Sequence, residues 1–493
     1  MKNISEHEMI QNHIDINLDN IKKTLCNSSD IHVRKGVTAD SIPFALMFID
    51  EIVDSVRIEQ LIIDPLLTIS IQKKDTKDHY LVQIETSILK IKSVKSISNI
   101  NVICEDLLDG KTIIFFEGFS TALSTGTSRW PEKSLEEPKA QRTLKGPNVG
   151  FNESLQSNIG LIRKTIKSPK LKIETKRFNE TMDTEISLIY VEGIADEEIV
   201  KEVKNRLKKI NIPMILDSNY LEETLTSESK SIFPLTLSTD RPDVVCAEII
   251  GGKIAIIVDG TPFVITLPTV LMQLIQSPDD YYTTTKSILL RRVLRFFSFF
   301  LSIILPGLYI AFVVAQPGLL PTSLLVSMMA QRELVPFPTL VEVLIFSILI
   351  LFITESSLRL PQGVVFTVSV FSAILLGQAA VEAQLVQPQT LVVLSASFIM
   401  RSIVPINSLR RVANALSFSF IAVAAFLGLY GVIIQCIFLV VHLVSLRSFG
   451  VPYLSPMAPF NLADQKDTLL RVPMEQIIDN KKKYTKEDPM NEK

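Results

Sequence analysis

An α/β soluble domain of two lobes, followed by a polytopic α-helical membrane domain, is the architecture that the sequence predicts. The chain has 493 residues, more than a single hydrophobic core usually supports. Residues 1–292 mix charged and apolar side chains as a globular protein does, whereas residues 293–446 are almost uninterrupted Leu, Ile, Val, Phe and Ala. Within the first part, short β-branched runs alternate with helical periodicity.

Composition narrows the function. A formal net charge of -2 and an apolar fraction of 47% exclude a polybasic nucleic-acid binder and a disordered acidic chain. Cys26, Cys104, Cys246 and Cys436 stand far apart without CxxC or Cys/His spacing, so reduced thiols, no metal and no cofactor are expected. No P-loop, GxSxG or HExxH motif occurs, which argues against an enzyme. The start, MKNISEHEMIQNHIDINLDN, lacks the basic and apolar regions of a signal peptide, so the first domain is expected to stay in the cytosol.

Residues 1–36 are polar and weakly periodic, and read as a flexible lead-in. The α/β domain then spans 37–292, with lobes at 37–170 and 171–285. From Phe44 to Leu67 the spacing of Phe48, Ile49, Ile52 and Val53 predicts helix, break, helix. Thr112–Phe116, between Asp109-Gly110 and Glu117-Gly118, reads as a buried strand. Ile186–Val191 reads as a strand, Asp196 as the cap of a helix burying Ile199, Val200, Val203 and Leu207, and Ile212–Leu216 as a second strand. That order predicts a right-handed crossover unit. Ile254–Val258 and Phe263–Leu267 flank Asp259-Gly260, a hairpin signal.

A hydrocarbon core about 30 Å thick needs roughly 20 apolar helical residues. The membrane domain, 293–446, is expected to hold about five segments: Phe296–Ala315, Leu340–Ile353, Val364–Val381, Leu391–Ile406 and Val412–Leu446, the last long enough for one tilted helix or two short ones broken near Gly428 and Gly431. Pro317–Pro338 is the candidate re-entrant segment. Arg291, Arg292 and Arg295 precede the first span and, by the positive-inside rule, hold the soluble domain on the cytoplasmic side. Residues 447–493 read as a polar tail.

Charges at membrane depth are costly and mark function or pairing. Arg332 and Glu333 adjoin a PFP break, Glu355 and Arg359 are four apart on one helix face, Glu382 ends the third span and Arg401 interrupts the fourth. They are candidates for an ion path or its gating, against the alternative of interfacial or paired residues. In the soluble half, the loop residues Gly146, Pro147, Gly150 and Phe151 are candidates for subunit coupling, with Arg241 and Asp243 as an ion pair or turn cap.

Residues 141–171, QRTLKGPNVGFNESLQSNIGLIRKTIKSPKL, resemble the GPxxGFxExxxxNxxLxR signature of the A subunits of GerA-type spore germinant receptors. The resemblance continues through DRPDVV at 240–245, VDGTPFV at 258–264, DDYY at 279–282, RELVPFP at 332–338, LRLP at 358–361 and SFGVPYLSP at 448–456. It departs at Asn148, where that family usually has Arg, and at Glu355-Ser356-Ser357. The resemblance implies a multi-pass subunit of the bacterial spore inner membrane, its N-terminal domain facing the spore core. It further implies a transporter-like B subunit and a lipoprotein C subunit as partners, homo-oligomers, and small nutrient germinants bound directly or through the B subunit. The implied activity is an ion-conducting path that starts germination. A subunit of a secondary transporter for small nutrients or ions is the alternative, because broken helices and midplane charges serve both.

Overall fold

The computed structural model describes residues 9–68, 77–89, 91, 93–129, 137–138, 140–141, 143–178, 183–210, 214–283, 285–359, 364, 377–460 and 467–468. Lobe 1 begins with α1 (Ile14–Thr24), β1 (Ile31–Val37) and β2 (Pro43–Ile49). The short helices α2 (Ser55–Ile58), α3 (Asp64–Thr68) and α4 (Lys77–Gln83) come next, then β3 (Val94–Ile97), α5 (Ile100–Leu108), β4 (Thr112–Phe116) and β5 (Ala122–Thr125). The strands form an antiparallel sheet in the order β1-β2-β4-β5-β3. Alternate residues of a strand face opposite sides. Met47 and Ile113 therefore meet Ile21, Ile103 and Leu107 of α1 and α5, while Leu46 and Ile114 meet Ile58, Ile62 and Ile84 on the other face.

Two expectations are corrected here. Residues 1–36 are not a flexible lead-in where they are described: they hold α1 and most of β1. Ile14, Leu18, Ile21 and Leu25 form a narrow stripe that buries itself on the sheet despite the polar residues between. Phe44–Ile49 is strand β2 rather than helix. It is covered by helices on both faces, so it is apolar at nearly every position and lacks the period of two that would reveal it.

Lobe 2 contains α6 (Leu155–Thr165), β6 (Leu171–Phe178), β7 (Thr184–Val191), α7 (Glu197–Lys209), α8 (Ser218–Thr226), β8 (Leu237–Thr239), α9 (Pro242–Ile250), β9 (Ile254–Val258) and β10 (Val264–Leu267). Its antiparallel sheet runs β6-β7-β9-β10-β8. α6 and α9 cover one face, α7 and α8 the other. Asp196 caps α7 by accepting from the Glu198 N–H, and Ile199, Val200, Val203 and Leu207 are buried. The β9–β10 hairpin turns at Asp259-Gly260, with Gly260 at φ 86°, a conformation glycine adopts freely. The parallel crossover does not form, because β7 pairs with β6 and β9, both antiparallel. Residues 212 and 213 of the expected strand lie outside the described residues, and 214–216 are not strand. The lobe boundary also moves. α6 belongs to the core of lobe 2, so lobe 2 begins before Phe151 rather than at 171.

The two lobes share one connectivity: each is a leading helix, two strands, a helical excursion, an edge strand, a helix and a closing hairpin. Corresponding elements, such as β2 from Pro43 and β7 from Thr184, start 140–143 residues apart. The equivalence reaches single hydrogen bonds. Glu117 in the β4–β5 hairpin accepts from the Ile14 N–H at 3.0 Å, and Asp259 in the β9–β10 hairpin accepts from the Leu155 N–H at 3.0 Å. Each carboxylate thereby satisfies an orphan donor at a helix start. Asn17 and Asn158 are each clipped at both ends of the side-chain amide to the residue six positions earlier, Gln11 and Asn152.

The lobes meet at a buried ion pair. Arg163 on α6 donates from Nε to Asp30 Oδ2 at 2.7 Å and from Nη2 to Ser28 Oγ at 3.0 Å. Near it, burial and then the Asp30 charge push the Glu51 carboxyl up to about 8. A folded-state value above the unfolded one makes stability fall as pH rises from about 4.5 toward 8, since the unfolded chain gives up this proton first. Glu51→Gln should therefore flatten that decline and, above pH 8, raise stability by on the order of 1–3 kcal/mol, measured by thermal unfolding against pH. An unchanged profile would exclude this role.

The chain enters the membrane domain through α10 (Leu271–Ile275), α11 (Asp279–Tyr282) and α12 (Thr285–Ile310), followed by α13 (Thr322–Arg332), α14 (Thr339–Arg359), α15 (Pro388–Ser402) and α16 (Asn407–Ser445). Among the described residues, Ile288–Ala315, Thr339–Ser357 and Asn407–Ser445 are long and apolar enough to cross a membrane. α15, at 15 residues, measures about 22 Å and is short for a full span. The segment expected at Val364–Val381 lies mostly outside the described residues. Pro317–Pro338 contains α13, of 11 residues, too short to cross alone.

Of the two forms the sequence left open for this stretch, a single tilted helix or one broken near Gly428, α16 takes the broken one, with φ 59° and ψ −142° at Gly428. The freed Leu429 N–H donates to Gln316 Oε1 at 2.9 Å, so a side chain beside the first span satisfies a broken helix at depth. A Cβ on Gly428 would stand 2.7 Å from the Ala315 Cβ. Gly428→Ala should cost about 1–3 kcal/mol from strained backbone alone, read as a lower unfolding midpoint of the detergent-solubilised chain.

After α16 the chain folds back onto lobe 2. β11 (Arg447–Ser448) pairs with β12 (Val451–Pro452), Ser448 Oγ donates to Leu235 O at 2.7 Å, and Phe449, Val451 and Tyr453 are buried. Residues 447–460 are thus a docked segment rather than a free polar tail. The start of α12 and the end of α16 both adjoin lobe 2.

Candidate functional site at the membrane junction

The motif DDYY forms α11, and each of its four side chains ties down a different segment. Asp279 Oδ1 accepts from the Leu144 N–H at 2.9 Å. Asp280 accepts from Arg292 Nε at 3.2 Å and from Arg295 Nη1 at 2.9 Å and Nη2. The Tyr281 hydroxyl donates to Asp467 Oδ2 at 3.0 Å. The Tyr282 hydroxyl donates to Asp243 Oδ2, and burial with that carboxylate pushes its pKa up. The junction is closed from the tail side, where Arg292 Nη1 reaches Asp467 Oδ1 at 3.1 Å and the Thr468 carbonyl at 3.0 Å. In the sequence, Arg292 and Arg295 form, with Arg291, the basic flank of the first span. Both are buried and paired, because Asp280 and Asp467 supply two negative charges against their two positive ones. Arg291 alone of the three is exposed.

The coupling candidates converge on the same place. Arg241, 0% exposed, spends its fork on Asp243 through Nε at 3.0 Å and Nη2 at 2.7 Å. Its remaining donors hold the preceding loop: Nη1 to Gln141 O at 3.2 Å and Thr143 Oγ1 at 3.0 Å, Nη2 to Pro147 O at 2.9 Å. Gly146 has φ 108°, and a Cβ there would meet the Tyr282 ring at 2.5 Å. Gly150 is buried, and Phe151 lies in the core of lobe 2, so it anchors the loop from inside rather than offering a contact surface. What the loop presents is Leu144, 94% exposed. Arg241 and Asp243 are an ion pair, as one reading had it, and they also organise a segment about 100 positions away.

The membrane candidates do not converge. Arg332 and Glu333 are exposed together at the end of α13, Glu382 is exposed elsewhere, and Glu355 pairs with Arg359 at 3.2 Å on an exposed face. Arg401 alone points into the bundle. It donates to Asn414 Oδ1 on α16, to Ser397 Oγ at 3.3 Å and to the Ser302 carbonyl of α12 at 3.4 Å. Sequence reasoning missed Glu342, which is fully buried in the first turn of α14. Its Oε2 accepts from the Gln387 N–H at 3.0 Å and Thr390 Oγ1 at 3.2 Å, and its Oε1 from Gln387 Nε2 at 3.3 Å. Tyr309 of α12 meets Thr390 Oγ1 at 3.0 Å. A carboxylate inside Leu340–Ile353 was the available signal, the same one that singled out Arg401.

A family model described as Bacillus/Clostridium GerA spore germination protein matches residues 19–483. The chain belongs to the GerA spore germination family. Spore germination protein KA of Bacillus subtilis (strain 168) is 39% identical over 459 residues, covering 93% of this chain and 84% of its own. Spore germination protein B1 of the same strain is 34% identical over 487 residues, 97% of this chain and 98% of its own. The crystal structure of the N-terminal domain of the A subunit of the Bacillus megaterium spore germinant receptor GerK3 is 31% identical, covering 53% of this chain and 97% of its own, with a TM-score of 0.41. In this GerA chain the signature at 146–163 has a physical reading. Gly146 and Pro147 shape the loop held by Arg241, Phe151 roots it, Asn158 clips the start of α6, Leu161 enters the core and Arg163 joins the lobes.

Proposed function

We propose that this chain is the A subunit of a nutrient germinant receptor in the spore inner membrane. In this reading it works with a transporter-like B subunit and a lipoprotein C subunit, and its soluble domain faces the spore core. Copies of it oligomerise to form or gate an ion-conducting path, and small nutrients trigger opening directly or through the B subunit.

The observation that carries the reading beyond family membership is the junction at α11. A displacement of lobe 2 has a bonded route into α12 through Asp280 and into the returning tail through Asp467. A ligand biases such a device only by binding its two states unequally. Arg332, Glu333, Glu355, Arg359 and Glu382 lie on the outside of the single chain, where they suit contacts between copies or a lining shared by them. Arg401 serves packing within one copy in this reading.

In spores lacking every other germinant receptor, this chain expressed with its B and C partners should give nutrient-triggered ion release. Silence toward a full panel of amino acids and sugars, with all three proteins present in the membrane, would overturn the proposal. Saturable flux of a nutrient coupled to ion movement in vesicles would favour a transporter instead.

A further inference from the structure

Along α15, Thr390, Ser397 and Arg401 are spaced seven and four apart, so they share one helix face, and Gln387 is the N-cap that precedes it. That face packs on α12, where Thr390 meets Tyr309 and Ser397 Oγ donates to the Ser302 carbonyl at 2.7 Å. The partners ascend α12 as they descend α15, so the helices run antiparallel and carry two polar stations about 10 Å apart, seven residues of rise. Arg401 occupies the station nearer the soluble domain. Glu342 occupies the farther one.

The two stations differ in how their charge is met. Arg401 faces neutral acceptors that suit a cation. Glu342 faces neutral donors, and among the described residues no Lys, Arg or His pairs with it. Gln387 is also fully buried, and its Oε1 has no hydrogen-bond partner although its Nε2 donates to Glu342. A carboxylate and an orphan acceptor therefore lie side by side, together with the Thr339 hydroxyl 3.5 Å from the same amide. The start of α15 contributes a partial positive charge at the carboxylate, equivalent to about half an elementary charge, which leaves the anion incompletely balanced. An electron-poor occupant satisfies both oxygens at once.

We infer that Glu342, with Gln387 Oε1 and the hydroxyls of Thr339 and Thr390, forms a monovalent-cation site between α12, α14 and α15. The donors are all oxygen, which selects a hard ion over a transition metal. One carboxylate balances one positive charge, whereas calcium and magnesium sites gather more oxygen ligands or retain several waters. A proton and an alkali-metal ion share this chemistry. Tyr309 from α12, Thr339 from α14 itself and the polar ends of Gln387 and Thr390 from α15 are the groups facing the carboxylate. Arg401, two turns of α12 away, is the next charge on that seam. The site needs no conducting assembly, so its test is independent of the proposed function.

The test uses the full-length chain in lipid nanodiscs, with thermal unfolding followed at constant ionic strength as choline chloride is replaced by sodium or potassium chloride, at pH 6 and pH 8. An alkali-ion occupant gives the wild type a saturable rise in midpoint of at least about 2 °C that Glu342→Gln lacks. A proton occupant gives no alkali response but a rise toward pH 6 that is larger in the wild type than in Glu342→Gln, which retains only the part due to Glu51; that difference supports the site and names the proton. Should that variant fail to fold, Gln387→Met removes the orphan acceptor, keeps the carboxylate and should weaken the alkali response several-fold. Identical responses of wild type and variant to sodium, potassium and pH would overturn the site.

Discussion

Asp280→Asn is expected to be the most damaging conservative substitution in the soluble half. The change preserves shape but leaves two buried guanidiniums facing one carboxylate, Asp467, which touches only Arg292 of the two. Breaking a buried ion pair from one side costs about 3–5 kcal/mol, a large share of a domain's net stability. The full-length variant should unfold at a clearly lower midpoint and accumulate poorly in membranes. Asp467→Asn should be milder, because Arg292 keeps Asp280 and the tail is held as well by Gln276 Nε2 on the carbonyls of 467 and 468. In a double-mutant cycle Asp280→Asn and Arg295→Gln should be far from additive, as residues sharing one bond are. Additive effects, or an unaltered midpoint in Asp280→Asn, would mean that the junction carries little energy.

The second large effect is expected from Arg241→Lys, which keeps the charge and discards the fork. An ammonium has three donors and no planar geometry, so it can hold Asp243 but not Gln141, Thr143 and Pro147 together. Releasing three hydrogen bonds at about 1 kcal/mol each raises the open population of the loop on the order of 100-fold at 1.4 kcal/mol per tenfold. Lys145 stands exposed at its tip and makes the readout simple. Trypsin should cut the variant there faster by about that factor, since cleavage tracks the open population when closing is fast. The core of lobe 2 should keep its hydrogen-exchange protection, because Phe151 still roots the loop. Wild-type cleavage rates in the variant would show that other contacts hold the segment.

Much of this architecture was legible because its signals are local. The composition change near residue 292, the hairpin at Asp259-Gly260, the cap at Asp196 and the kink at Gly428 each follow from a residue and its immediate neighbours. What escaped depends on contacts that sequence spacing does not encode. β2 hid because burial on both faces removes alternation, and α1 because its apolar stripe is only one residue wide. The pairing at the junction was not legible for an instructive reason: the arginines stand together before an apolar helix, but Asp467, which closes the cluster, lies 175 positions later. The membrane charges were chosen by type alone. That criterion caught five outward-facing residues, and Glu342 was passed over because it sits in the first turn of its span.

The two lobes of the soluble half read as copies of one gene segment. A shared connectivity could arise by convergence on a favourable fold, but a hairpin carboxylate receiving the first amide of the leading helix, twice and about 141 residues apart, points to descent from a single ancestral lobe. The two copies now differ in what they hold. The second has Arg241 where the first has Asn99 before the equivalent helix, and it carries the bonds to α12 and the returning tail. Among the described residues the first lobe makes no such bonds, so substitutions on its outer surface have no bonded route to α12 or the returning tail.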